Sequence, residues 1–137
     1  ALPAIQAGMG HSYWRIRRGC AAVLFHLYDT ESLQRLVLLA REPKKKVRKI
    51  ALLTLGCDRC TGGENPIDAV PHLACSASND PAVRVRRVAV LTFELQAPQR
   101  QGVRLLRKVL ATERDPRALR VAGWNLTRQQ DLLARAW

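Results

Sequence analysis

The sequence has no hydrophobic run that approaches the roughly 20 residues of a membrane-spanning helix. It has no low-complexity stretch, and its prolines and glycines cluster at turns between apolar segments. The N-terminus, which begins at Ala1, shows no basic-then-apolar secretion signal. These absences favour a soluble protein, and we expect a cytoplasmic location and a single folded domain over residues 1–137.

Residue patterns that accompany catalysis are also absent. The histidines His11, His26 and His72 fall in different parts of the chain. No glycine-rich phosphate loop follows a strand, and no pair of carboxylates recurs at helical spacing on an exposed face. We therefore expect a protein that is not an enzyme and that requires no cofactor.

What the chain does contain is an internal repeat. Four similar stretches begin at Ile16, Val47, Val85 and Leu119, and these starts lie 31, 38 and 34 residues apart. Counted from each start, apolar or small residues recur at positions 0, +3, +4, +7 and +8, which is the buried stripe of an amphipathic helix. Position +4 is always small, as expected where two helices cross closely. The residues at +4 are Cys20, Ala51, Ala89 and Gly123.

Another apolar segment with helical spacing precedes each of these stretches. A period of this length with two helices per unit predicts an array of helical hairpins and an all-α fold. The preceding helices are expected over Leu2 to Met9, Thr30 to Glu42, Ile67 to Ser78 and Pro98 to Thr112. The repeats then cover about 1–28, 29–56, 66–96 and 98–128, with an insertion loop at 57–66. We expect Gln129 to Trp137 to begin a fifth unit.

Two segments of the chain resemble a known repeat. Residues 80–89 (DPAVRVRRVA) and 115–120 (DPRALR) are similar to the inter-helix turn and second helix of HEAT repeats, in the short bacterial form known as PBS-lyase HEAT-like repeats. The first two copies lack the Asp-Pro turn. The resemblance implies a right-handed α-α superhelix of about four hairpins, whose second helices line a concave surface that usually holds another macromolecule.

The charge of the chain is strongly positive. Lys and Arg number 23 against 11 Asp and Glu, which gives a formal net charge of +12. An exposed cation at a helix N-terminus is unfavourable by about 0.3 to 1 kcal/mol, because the helix dipole places partial positive charge there. The accumulation of cations at these helix starts therefore indicates an anionic partner. Thirteen cations occupy the starts of the repeated helices: Arg15, Arg17, Arg18, Lys44, Lys45, Lys46, Arg48, Lys49, Arg84, Arg86, Arg87, Arg117 and Arg120.

Apolar residues further along the same helices indicate which anionic partner to expect. A basic ladder beside an apolar ladder suits an acidic amphipathic segment of a protein. We therefore predict a non-catalytic scaffold or adaptor that holds an acidic protein or peptide segment. The predicted partner-binding residues are Arg18, Lys49, Arg84, Arg87, Leu53, Leu91 and Trp124.

Two alternatives remain for the cations. A row of helix N-termini with Lys and Arg can follow a nucleic-acid phosphate backbone. The arginines at position +1, which are Arg17, Arg48, Arg86 and Arg120, can instead pair with turn carboxylates of the same or the next repeat. The candidate carboxylates are Asp29, Asp58, Asp80 and Asp115.

Four residues have the spacing of a zinc site. Cys57, Cys60, His72 and Cys75 form the pattern C-x2-C-x11-H-x2-C, which would supply three thiolates and one imidazole to a structural zinc ion. The alternatives are an insertion loop with incidental thiols, or a disulfide between the first two cysteines, which a reducing compartment disfavours.

Overall fold

The computed structural model describes residues 2–24, 29–57, 67–93 and 100–135. Within these ranges the chain forms eight α-helices and no β-strand, which confirms the all-α fold class. None of these helices is both long and apolar enough to cross a membrane. The helices are α1 (Leu2–Gly8), α2 (Trp14–Val23), α3 (Thr30–Leu39), α4 (Lys45–Leu55), α5 (Val70–Asn79), α6 (Val83–Thr92), α7 (Arg100–Thr112) and α8 (Pro116–Arg135).

Consecutive helices pack as pairs. α1 contacts α2, α3 contacts α4, α5 contacts α6, and α7 contacts α8. The second helices of successive pairs also contact one another, α2 with α4, α4 with α6, and α6 with α8, and α5 contacts α7. We call α2, α4, α6 and α8 the second-helix row. Equivalent positions of neighbouring helices in this row can therefore form columns across the molecule.

Two helices have an aspartate at the N-terminal capping position. Asp29 precedes α3 and accepts a hydrogen bond from the Ser32 amide at 3.1 Å. Asp115 precedes α8 and accepts one from the Ala118 amide at 2.9 Å, with Pro116 in the first turn. Both arrangements satisfy an amide that would otherwise lack a partner at the helix N-terminus.

The helix starts define a common register for the second-helix row. α2, α4 and α6 each begin two residues before position 0, which is Ile16, Val47 and Val85. α8 begins at Pro116, so its position 0 is Ala118, one residue earlier than the sequence alignment placed it. With this correction position +4 in α8 is Ala122, which is fully buried.

Hydrogen bonds between neighbouring helices agree with this register. The Thr54 hydroxyl, at position +7 of α4, donates to the Ala21 carbonyl at 3.2 Å. The Asn125 amide, at position +7 of α8, donates to the Val90 carbonyl at 3.3 Å. In both cases the acceptor is at position +5 of the preceding second helix. The α2–α4 and α6–α8 interfaces therefore have the same stagger.

Small residues allow the close packing of the row. Ala51, Ala89 and Ala122 at position +4 have no exposed surface, as the pattern of small residues predicts. α7 and α8 also approach closely, because a Cβ on Gly102 would lie 2.5 Å from the Gln129 Oε1 atom. Gly102 thus leaves room for the fully buried Gln129 side chain.

The expectation of a fifth unit beginning at Gln129 was wrong. α8 continues without a break to Arg135. No glycine or proline follows Gly123 in this helix, and half-buried Leu126, Leu132 and Leu133 give it apolar positions beyond the repeat. The apolar spacing that suggested a new helix is therefore the continuation of the existing one.

Candidate binding surface

Two columns of basic residues run along the second-helix row. Lysine or arginine occupies positions −1 and +2 of all four helices. Because three residues separate these positions, both side chains lie on the same helix face. Six of the eight residues are exposed, while Lys49 and Arg87 are half-buried. The residues at −1 are Arg15, Lys46, Arg84 and Arg117, and those at +2 are Arg18, Lys49, Arg87 and Arg120.

An apolar column lies beside the basic ones. Position +6 follows four residues after +2, so it shares the same face of each helix. Leu91 is 46% exposed and Trp124 is 54% exposed, whereas Leu53 is half-buried. The residues at +6 are Ala22, Leu53, Leu91 and Trp124. We call the twelve residues at −1, +2 and +6 the basic-apolar face, and it includes all seven residues predicted to bind a partner.

Lys49 stands at the middle of the basic columns. Burial is the largest influence on its pKa and lowers it below the ordinary value for lysine. The charges of Arg84, Arg18, Lys45 and Lys46 lower the Lys49 pKa further. Cations from α2, α4 and α6 therefore act on one ammonium group. The repulsion among them would be relieved by a bound anion.

A pocket opens where these cations meet the apolar column. It has a volume of about 280 Å³ and spans α2, α4 and α6. Three cations and three aliphatic side chains line it, so a ligand there would meet positive charge and apolar surface together. The lining residues are Arg18, Lys46, Lys49, Ile50, Leu53 and Val88.

The arginines at position +1 have a different role. Arg17 binds Glu42 at 2.7 Å, Arg48 binds Asp80 at 2.8 Å, and Arg86 binds Glu113 at 2.9 Å. Each acceptor lies in the turn of the next helix pair, so pairing with a turn carboxylate is observed for these three arginines. Arg48 uses a predicted carboxylate, whereas Glu42 and Glu113 were not among the predicted ones, and Asp58 lies outside the described residues. A charge-assisted hydrogen bond between a guanidinium and a carboxylate thus links each of the first three units to the following one.

The same arginines also hold their own turns. Arg48 Nη1 donates to the Glu42 carbonyl at 3.0 Å and to the Pro43 carbonyl at 2.8 Å. Arg17 makes the equivalent bonds, six and five residues back, to the carbonyls of His11 and Ser12. These donors are thus used within the fold. Leu119 stands at +1 in α8, so Arg120 does not belong to this series and instead lies on the basic-apolar face.

Arg87 is the one member of the basic-apolar face that forms an ion pair with a described residue. Its Nε and Nη2 atoms donate to the two carboxylate oxygens of Asp115 at 2.7 and 2.6 Å. Asp115 also caps α8, so this pair joins α6 to the start of the next second helix. Of the predicted partner-binding cations, Arg18, Lys49 and Arg84 therefore keep their charge available.

Hydrogen bonds to these turn carboxylates favour their ionised form. The Arg87 guanidinium, followed by the Ala118 amide, holds the pKa of Asp115 well below its usual range. Burial works to raise the pKa of Glu113, but its hydrogen bonds, that from Arg86 first among them, outweigh burial and leave it lowered. Both groups consequently stabilise the fold as carboxylates.

We expect the free energy of unfolding to fall as the pH drops below about 4. A carboxyl group with a lowered folded pKa stabilises the fold above its unfolded pKa, and this contribution is lost as pH falls through the folded value. Urea unfolding at a series of pH values from 7 to 2.5 would measure it. The difference in stability between the natural chain and Asp115→Asn should shrink toward low pH. A difference that stays constant with pH would show that the ionised form of Asp115 does not stabilise the fold.

Aromatic residues adjoin the first turn of α2. The Arg15 guanidinium carbon lies 5.4 Å from the Trp14 ring centre, and the Lys44 and Lys46 ammonium groups lie 5.9 and 5.5 Å from it. These are cation-π distances. The Trp14 ring therefore contacts cations near the starts of both α2 and α4. The spacing of residues in the sequence did not predict this contact between helices.

The predicted zinc ligands are only partly described. Cys57 is 3% exposed two residues beyond the end of α4, while Cys60 lies outside the described residues. His72 and Cys75 line a pocket of about 400 Å³ beside the turn between α3 and α4, and Cys57 does not line it. Among the described residues, no group of three or more His, Cys, Asp or Glu could hold a metal ion. Zinc binding stays a prediction.

Comparisons with models of protein families, with curated proteins and with solved structures found no match. Function is therefore inferred from the chemistry of the basic-apolar face. Sequence reasoning selected seven of its residues. It did not separate Arg15, Lys46, Arg117 and Arg120 from the cations around them, and it did not include Ala22. These residues could have been found from the repeat period, because the same residue types recur at positions −1, +2 and +6 of successive second helices.

Proposed function

We propose that the chain is a non-catalytic, HEAT-like scaffold that binds an acidic, amphipathic segment of a partner protein along the basic-apolar face. The paired helices and the contacts along the second-helix row support a right-handed solenoid of about four hairpins. In such a solenoid the second helices line the concave side, where a ligand segment crosses several repeats. The basic-apolar face would then form the groove.

The observation that carries this proposal is the pocket that spans three second helices. It places Arg18 and Lys49 against Leu53 and Val88, so charge and apolar surface meet within one ligand footprint. A protein segment with acidic and apolar side chains complements both kinds of surface. The cations would orient the segment, and burial of its apolar side chains would supply most of the affinity.

Nucleic acid is the second candidate. It is favoured by the basic residues at −1, which lie in the first turn of each second helix, where backbone amides also point outward. The apolar column argues against it, because a surface built for phosphates is expected to carry polar or basic side chains at that position too. Exposed Leu91 and Trp124 would contribute little to backbone contacts.

We expect selection of randomised peptides displayed against the full chain to enrich sequences that combine Asp or Glu with Leu, Ile or Phe. Leu91→Ala and Trp124→Ala should each weaken the selected peptides by about tenfold, because both remove exposed apolar surface that the ligand would bury. Fluorescence anisotropy with labelled peptides would measure the loss. Leu38→Ala is the matched control, since Leu38 is 73% exposed on α3, outside the face.

A gel shift with mixed-sequence duplex DNA and with RNA tests the second candidate. Binding to phosphates should weaken steeply with salt and should tolerate both alanine substitutions. Tight, salt-sensitive binding of either nucleic acid, together with no enrichment of acidic peptides, would replace the proposal with the alternative.

A further inference from the structure

The pocket of the basic-apolar face carries more positive charge than a single carboxylate would balance. Arg18, Lys46 and Lys49 line it, and Lys45 and Arg84 are close enough to act on the Lys49 ammonium. After burial, every influence that shifts the Lys49 pKa comes from a cation. Five cations from three helices therefore converge here.

Two carboxylates of the adjoining turns are already bound elsewhere. Glu42 and Asp80 accept from the +1 arginines of α2 and α4. Among the described residues, Arg18, Lys46 and Lys49 form no ion pair. The charge of the pocket is thus left for a ligand.

We propose that this pocket is a subsite for a phosphomonoester group carried on the acidic protein segment. A phosphorylated side chain carries a charge of about −1.5 to −2 at pH 7 and has three strong acceptor oxygens. The Arg18 guanidinium can donate two parallel hydrogen bonds to such a group, and the lysines add point charges. The inference rests on the proposed function and specifies the ligand chemistry of the same site.

The apolar half of the pocket separates this ligand from a nucleic-acid backbone. Ile50, Leu53 and Val88 would lie against the carbon atoms that connect the phosphoryl group to its peptide. A backbone phosphodiester carries a single negative charge and is flanked by sugars on both sides. Its charge would match the five cations less well than that of a dianion.

The test uses small probes of the phosphoryl group, because the partner segment is unidentified. Phenyl phosphate, benzoate and dimethyl phosphate are titrated at equal ionic strength into the isotope-labelled full chain and followed by nuclear magnetic resonance. We expect phenyl phosphate to produce saturable shifts at the amides of Lys49, Ile50 and Leu53. Its affinity should exceed that of benzoate and of dimethyl phosphate by about tenfold, because it forms more charge-assisted hydrogen bonds.

The matched variants are Lys49→Gln and Lys108→Gln. Lys108 is exposed on α7, so its substitution makes the same change in net charge away from the pocket. Lys49→Gln should weaken phenyl phosphate binding by about tenfold, whereas Lys108→Gln should leave it unchanged. Equal loss in both variants, or equal affinity for the three probes, would overturn the inference.

A second measurement separates this inference from the proposed function. A peptide from the acidic selection is compared with serine, phosphoserine or glutamate at one site. A gain with phosphoserine that Lys49→Gln removes supports the subsite. If the three peptides bind equally well and still require Leu91, the inference fails while the proposed function stands. If the selection yields no binding peptide but phenyl phosphate binds, the proposed function fails instead.

Discussion

Arg48→Ala is expected to lower the free energy of unfolding by about 3 to 5 kcal/mol. The Arg48 and Asp80 side chains are 11% and 6% exposed, and two hydrogen bonds join them. Removing the guanidinium leaves the Asp80 carboxylate buried without its partner, and it also frees the carbonyls of Glu42 and Pro43. Chemical unfolding followed by circular dichroism would measure the change.

Arg120→Ala is the control for this prediction. Arg120 is an exposed arginine of the same helix row, and it forms no ion pair with a described residue. Its substitution should change stability by less than about 0.5 kcal/mol. Arg48→Ala combined with Asp80→Ala should cost less than the sum of the two single changes, because the buried charge is removed with its partner. A cost for Arg48→Ala as small as that of the control would show that the ion pair does not hold the units together.

The double charge reversal Lys49→Glu with Arg84→Glu should weaken binding of a selected acidic peptide by about a hundredfold or more. Each substitution replaces an attraction for the ligand with a repulsion at the centre of the basic-apolar face. Stability should not fall, because the new carboxylates meet Arg18, Lys45 and Lys46 and relieve the repulsion that lowers the Lys49 pKa. Titration calorimetry for affinity and thermal unfolding for stability would measure the two effects.

The same reversal at Arg104 and Lys108 tests whether position matters. Both residues are exposed on α7, which is the first helix of its pair and lies outside the basic-apolar face. Reversing them changes the net charge by the same amount as reversing Lys49 and Arg84. Their reversal should weaken binding only slightly, through the overall field of the protein. Equal losses in the two double variants would point to non-specific attraction and would contradict a defined groove.

The helices themselves were largely predictable from the sequence, because burial of one helix face leaves a periodic signal. Spacing of apolar residues placed the second helices of the first three units within about two residues of their observed starts. The fourth unit was displaced by one residue, since Leu119-Arg120 imitates the apolar-arginine pair that begins the other copies. Position 0 there is Ala118, whose small side chain gave a weak signal.

The chemistry of individual cations was less predictable. Arg86 and Arg87 are neighbours in sequence, and both pair with the following turn, the first with Glu113 and the second with Asp115. Which cation finds a carboxylate depends on the stagger between helices from different units. A pattern of residue types within one helix does not contain that distance. Of the predicted binding residues, Arg87 is therefore not a free charge. The cations that the prediction did not include are Arg15, Lys46 and Arg117 at −1 and Arg120 at +2.

The bonds made by the +1 arginines restrain one edge of the second-helix row. Arg17, Arg48 and Arg86 each tie their own turn to the turn of the next unit, and all of these ties lie near the helix starts. Bending of the molecule should then change the distances between the C-terminal ends of these helices more than the distances between their N-terminal ends. The spacing of the cations at the helix starts would stay nearly constant, so a ligand could be selected by the distance between its acidic groups.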